Sequence, residues 1–252
     1  MSGHSKWATI KHKKGAADAK RGKLFTKLIR EITVAAREGG GNQDANPRLR
    51  LAVQKAKEAN MPSDNVDRAI KKGTGELAGV SYENVSFEGY GISGVAIIVE
   101  GLTDNKNRTT SDVRSIFTKR GGNMAGQGSV AFQFEKKGLF TVKNEGLKEE
   151  ELMSLALDAG AEDMTLESDV FEITCPPQDF DKVRVFLTKA KVKIESGELT
   201  MIPKNTVKVN DIETAKKMLQ LVEELEDNDD VQNVYANFDI PDEILKKIES
   251  ES

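Results

Sequence analysis

The apolar residues of this chain keep one period up to residue 73 and a different one after residue 79, and that switch divides the molecule. Leu24, Phe25, Leu28, Ile29, Ile32, Ala35 and Ala36 recur at helical spacing, which predicts a helix over about residues 16–37 with one apolar stripe. Gly39-Gly40-Gly41 ends it. Asn46 as a cap and Pro47 in the first turn start a second helix, with Leu49, Ala52, Val53 and Ala56 inward. Met61-Pro62 breaks that helix. Ser63 is placed to cap a third, whose inner face is Val66, Ala69 and Ile70. The expectation is a three-helix bundle.

Beyond Gly79 the spacing becomes that of strands. Val85-Ser86-Phe87 and the run from Val95 to Val99 read as strands, the second apolar on both faces and therefore central. A helix follows at about residues 108–119, with Val113, Ile116 and Phe117 inward. Val130, Phe132 and Phe134 alternate like a further strand. Residues 138–203 then give the order βαββαβ, the ferredoxin-like signature. A helix over 212–225 and a strand over 231–238 complete the element begun before that unit. The predicted class is α+β with three domains. These are a basic helical domain (1–78), an α+β middle domain (79–137 plus 204–240) and a ferredoxin-like domain (138–203) inserted into the middle one.

Charge is as unevenly placed as the apolar residues. Residues 1–75 carry 17 Lys and Arg against 7 Asp and Glu, while the remainder carries 20 against 34. The formal net charge of −4 thus hides a cationic end on an anionic body. Such asymmetry points to a polyanion as partner. On the first helix Lys20, Lys23, Lys27 and Arg30 cluster roughly 150° from the centre of the apolar stripe, so they are expected to face solvent. Lys6, Lys11, Lys13, Lys14 and Arg21 extend the positive field. Trp7 sits among them with His4 and His12, placed to stack on an unpaired base or to pack on the bundle. The candidate nucleic-acid-binding set is therefore Lys6, Trp7, Lys11, His12, Lys13, Lys14, Lys20, Arg21, Lys23, Lys27 and Arg30. A secondary set is Asn105, Lys106, Arg108, Arg120 and Asn123, on loops at either end of one helix, where an anion could be held. Ordinary capping by Asp104 or Asn107 and a glycine stop explains the same residues more simply.

Other chemistries find no support in the residues. The single cysteine, Cys175, cannot form an internal disulfide and is most simply a small buried residue at a strand end. No Gly-Lys-Ser/Thr follows either glycine cluster. Asp227, Asp229 and Asp230 lack the glycine and glutamate that a calcium loop needs, and read as a solvated turn. Glu223-Glu224 reads as surface charge. Only Asp18 is acidic within residues 1–30, which argues against a nuclease site there. No cofactor, metal, small-molecule substrate or membrane partner is expected, and the N-terminus lacks a secretory pattern, so the cytoplasm is the default.

Several segments resemble one family closely. Gly3-His4-Ser5-Lys6-Trp7 with Ile10-Lys11-His12-Lys13-Lys14 is similar to the N-terminal signature of the YebC family. That group includes the PmpR-type regulators and the mitochondrial translational activator of cytochrome oxidase. Phe25-Thr26-Lys27-Leu28-Ile29-Arg30-Glu31, Asn46-Pro47-Arg48-Leu49-Arg50, Asn60-Met61-Pro62, Glu88-Gly89-Tyr90-Gly91, Leu102-Thr103-Asp104-Asn105 and Gly121-Gly122-Asn123 carry the same resemblance. Ile92-Ser93 stands where Pro-Gly would be expected.

The resemblance implies the three-domain fold, no catalysis and a role in gene expression directed at nucleic acid. The first reading is a DNA-binding transcriptional regulator. The alternative is a ribosome- or RNA-binding translation factor that assists synthesis of difficult, proline-rich sequences. A flexible basic tail that orders on folded RNA would suit it.

Overall fold

The structure, a computed structural model, describes residues 17–144, 146, 148–167 and 170–250. It contains two compact units. One is Phe132–Thr206, and the other combines the chain up to Ala131 with the chain from Val207.

The second unit opens with the bundle: α1 (Ala17–Gly39), α2 (Pro47–Glu58) and α3 (Ser63–Thr74). Leu28, Ile32, Ala35 and Ala36 of α1 meet Leu49, Ala52, Val53 and Ala56 of α2 and Val66 and Ala69 of α3 in one core. Leu24 departs from the expected stripe and is 46% exposed. Asn46 does more than cap α2. Its carbonyl oxygen accepts from the Leu49 amide at 3.0 Å, while its Nδ2 donates to the carbonyls of Ala35 and Gly40, both at 2.8 Å. One buried amide side chain thus ties the end of α1 to the start of α2, satisfying groups that helix termini leave unpaired. Ser63 is not a cap: it is the first residue of α3, and Pro62 precedes it without a side-chain bond.

The rest of this unit is a sheet ordered β3-β1-β2-β9, built from β1 (Glu83–Tyr90), β2 (Ala96–Thr103), β3 (Asn123–Ala125) and β9 (Val231–Ala236), all antiparallel. β2 lies between β1 and β9, as its two-sided apolar pattern requires. Helices α4 (Lys106–Lys119), α7 (Ile212–Asp227) and α8 (Asp242–Ser250) supply Val113, Phe117, Met218, Leu221, Val222, Leu245 and Ile248 to its core. Helix α8 was not anticipated. A short parallel pair, β8 (Val207–Lys208) with β10 (Phe238–Asp239), closes the unit.

The Phe132–Thr206 unit contains β4 (Phe134–Lys143), α5 (Glu149–Ala159), β5 (Asp163–Glu167), β6 (Val170–Cys175), α6 (Phe180–Lys189) and β7 (Ile194–Pro203). The strand order β5-β6-β4-β7 is that of a split βαβ sheet. Phe140 and Phe180 stack at its centre, with ring centroids 4.7 Å apart. Cys175, the last residue of β6, is fully buried, and burial with Asp179 and Glu162 nearby pushes its thiol up to about 11. The chain is therefore α+β, with the βαββαβ unit inserted between strands of the other sheet.

The strand expected across Val130, Phe132 and Phe134 does not form. Residues Ala131–Gln133 make a 3-10 turn, Phe132 is 67% exposed, and β4 begins only at Phe134. The cause is Glu88. Its carboxylate, 5% exposed, accepts from the amides of Gly128 (2.7 Å), Val130 (2.6 Å) and Ala131 (2.9 Å). Gly128 supplies the positive φ that this curl requires. Burial alone would raise the Glu88 carboxyl, but the three amides outweigh it and hold the group below the usual carboxylate range.

Candidate nucleic-acid interface

The candidate residues at positions 6, 7 and 11–14 lie outside the described residues, and the side chain of Lys20 is outside them too. Arg21 is exposed, its guanidinium 5.9 Å from the Phe25 ring centroid. At Lys27 and Arg30 the expectation of a solvent-facing cationic stripe fails, while Lys23 remains exposed as expected. Lys23, Lys27, Arg30, Val34 and Arg37 form one row along α1 that is covered in its middle and exposed at both ends. Val34 in its middle is fully buried although it belongs to neither the bundle core nor the sheet core.

The covering element is the C-terminal end of α7 with the turn that leads on to β9, residues 226–230. Lys23 Nζ lies 3.3 Å from the Asp227 carbonyl and 3.7 Å from its carboxylate. Lys27 Nζ donates to the Glu226 carbonyl at 2.6 Å. Arg30 reaches the carbonyls of Asp229 (2.7 Å) and Leu102 (3.2 Å) and the Asp230 carboxylate (2.6 Å). Its side chain is only 14% exposed. At the other end of the row Arg37 bonds Ser81 Oγ and the Tyr82 carbonyl. Arg48 of α2 completes the joint through Glu31, Glu38 and Asn84.

Asp230 corrects a second expectation. It is the hub of this joint, 3% exposed, and not part of a solvated turn. Its two oxygens divide the work. One takes Arg30, and the other takes Arg108 (2.7 Å), Thr109 (2.6 Å) and Thr103 (3.3 Å). Burial pushes its carboxyl up, yet the bonds from Arg108, Thr109 and Arg30 prevail and hold it low.

The secondary set follows from the same arrangement. Asn105 caps α4 by accepting from the Arg108 amide at 3.1 Å. Arg108 bridges Asp104 and Asp230, which hold its guanidinium firmly protonated. Arg120 bonds Glu224 at 2.5 Å and Gln220 at 3.1 Å, and Lys119 joins it on Glu224. Glu224 is thus an ion-pair partner and not spare surface charge. Lys106 is exposed, and Asn123 sits on β3 opposite Tyr90. Asn105, Arg108 and Arg120 thus serve capping and internal pairing. Arg21, Lys57, Lys71, Lys72 and Lys106 are among the exposed cations for which no carboxylate partner is found among the described residues.

Sequence reasoning missed the roles of Arg37, Arg48 and Asp230. The available signal was Val34, an apolar side chain in an otherwise cationic row, which indicates a second layer over that face. No three His, Cys, Asp or Glu side chains gather to hold a metal ion among the described residues. No helix among them is long and apolar enough to cross a membrane.

Comparison with known proteins places this architecture. Residues 5–76 match the profile described as "TACO1/YebC protein N-terminal domain", and residues 82–238 match "TACO1/YebC second and third domain". A protein of Natranaerobius thermophilus named "Probable transcriptional regulatory protein" is 60% identical over 98% of this chain and 99% of its own length. One of Syntrophobacter fumaroxidans with the same name is 57% identical over 98% of this chain and 100% of its own. The crystal structure of a conserved hypothetical protein from Aquifex aeolicus superposes with a TM-score of 0.82. It is 52% identical and covers 92% of this chain and 96% of its own. With both parts of the profile matched and relatives this similar along their full length, the chain belongs to the TACO1/YebC family.

Proposed function

We propose that this protein is a nucleic-acid-binding regulator of gene expression that holds phosphates through its cationic N-terminal domain, with duplex DNA as the first target. The observation that carries this reading is the segregation of charge, 17 cations against 7 acids within residues 1–75 of a chain that is anionic elsewhere. The names of the relatives, probable transcriptional regulatory proteins, support the regulatory role. No catalytic step is part of the proposal. The phosphate contacts assigned to it are Lys6, Lys11, Lys13, Lys14, Lys20, Arg21 and Lys23, with Trp7 and His12 beside them.

One observation favours a second reading, an RNA- or ribosome-directed factor. The outer row of α1, the natural element to lay in a major groove, rests instead on the protein's own turn. That leaves backbone and shape contacts from the N-terminal segment, a mode suited to folded RNA. The test is titration of the full chain with a labelled DNA duplex and a labelled RNA hairpin across salt concentrations. If roughly five phosphates are neutralised, log K on the duplex should fall against log salt with a slope near −4 to −5. A flat response on both probes would overturn the proposal, and a tighter, salt-sensitive complex with the hairpin would move it to RNA.

A further inference from the structure

The turn at residues 226–230 offers carboxylate and carbonyl oxygens to three successive cations of α1, much as a phosphate backbone would. From this geometry we propose that the turn is an electrostatic clasp, and that a nucleic acid competes with it for Lys23, Lys27 and Arg30. The clasp rests on the nucleic-acid reading above and adds its regulation: the closed form withholds half of the cationic helix, and phosphate binding opens it.

Three features make the closed form releasable. First, the bundle core and the sheet core are separate clusters, and the row of α1 between them is polar apart from Val34. Polar joints of this kind permit relative movement. The connector at residues 75–82 is largely exposed and begins at Gly75 with a positive φ, so a pivot is available.

Second, Asp230 is not orphaned when Arg30 departs. The oxygen bound to Arg108, Thr109 and Thr103 keeps its partners, and the carboxylate stays charged and in place. A buried carboxylate left without cations would resist opening strongly. This one retains Arg108.

Third, the closed form leaves Arg30 incompletely satisfied. Its Nε is buried and has no hydrogen-bond acceptor, and the guanidinium lies 5.3 Å from the Tyr82 ring centroid. A guanidinium engages a phosphate through a fork of two N–H donors, so transfer to a phosphate supplies the acceptor that the protein does not.

The test uses the full chain, a labelled DNA duplex and a labelled RNA hairpin. Asp227→Asn and Asp230→Asn weaken the turn without touching the cations. A control chain with Asp112→Asn and Glu243→Gln removes the same two formal charges from exposed positions and measures the effect of charge alone. The double variant should bind the duplex about tenfold more tightly than this control, equivalent to one decade in Kd. In the unmodified protein, amide exchange across residues 226–230 should accelerate when duplex is added. Should Asp230→Asn fail to fold, Asp227→Asn alone, at a half-exposed position, should still exceed Glu243→Gln alone. Equal affinities for the double variant and the control would overturn the clasp, as would turn amides that gain protection in the complex. If neither probe binds any form of the protein, the nucleic-acid reading falls and the clasp with it. Binding by the unmodified chain without gain in the variants removes the clasp alone.

Discussion

Glu88 and Asp230 are both buried carboxylates in the same unit, yet they are neutralised in opposite ways. Glu88 is caged by three backbone amides of one short loop, while Asp230 is held by two arginine side chains and two hydroxyls from three different elements. Backbone donors fixed by a single curl can do nothing but hold that curl. Long side chains can change partners. The first device shapes a loop and the second joins layers, so a buried charge signals a movable joint only when mobile groups compensate it.

The sharpest way to break this contrast is Asp230→Ala. It leaves Arg30 without a carboxylate and Arg108 with Asp104 alone, and should destabilise the unit by about 3–5 kcal/mol in a urea titration. Glu88→Ala should cost less, about 2–3 kcal/mol, because one of the three amides is fully buried and the others reach water on release. The loss should be confined to the loop at 126–133 in an amide-exchange map. If both variants open the α1 joint equally, the distinction between cage and hub is wrong.

Acid provides a further separation. Both carboxyls sit below their ordinary range in the folded protein. Their stabilisation is therefore complete above about pH 4–4.5, where the unfolded chain's carboxyls ionise, and is lost as pH falls through the lower folded values. A Glu88→Gln chain, already without one such group, should show a shallower loss of stability below pH ~4 in thermal melts. An identical slope would mean that Glu88 does not couple to folding.

The smallest effect belongs to the rim. Lys23 and Asp227 are roughly half exposed and 3.7 Å apart, so Lys23→Ala should change stability by less than about 0.5 kcal/mol. A larger change would show that the row is held from its exposed end and not from Arg30.

Much of this architecture could be read from residue spacing. Helices α1 to α3 follow from apolar period with Asn46-Pro47 as the start signal, and the βαββαβ order follows from alternation and length. Spacing fails where a side chain far along the chain imposes the local structure. Val130, Phe132 and Phe134 alternate as a strand would, but Glu88, about 40 residues earlier, takes the amides that a ladder would need. The cationic row of α1 failed for a related reason. A helical wheel ranks residues by distance from one apolar stripe and has no means of showing a second layer on the opposite side. Asp230 looked like part of an acidic turn because its compensating groups, Arg30 and Arg108, lie 200 and 122 positions away. The basic N-terminal candidates stand on charge alone, since the described residues begin after most of them.

Cys175 has a practical consequence. With its sulfur sealed behind Gly138 and Phe180, where even a methyl group on Gly138 would come within 2.6 Å of it, the native thiol is closed to alkylating reagents. Cysteines introduced on α1 or at position 227 can therefore carry fluorophores against a silent background. Any labelling of the unmodified chain would then time the unravelling of the βαββαβ unit itself.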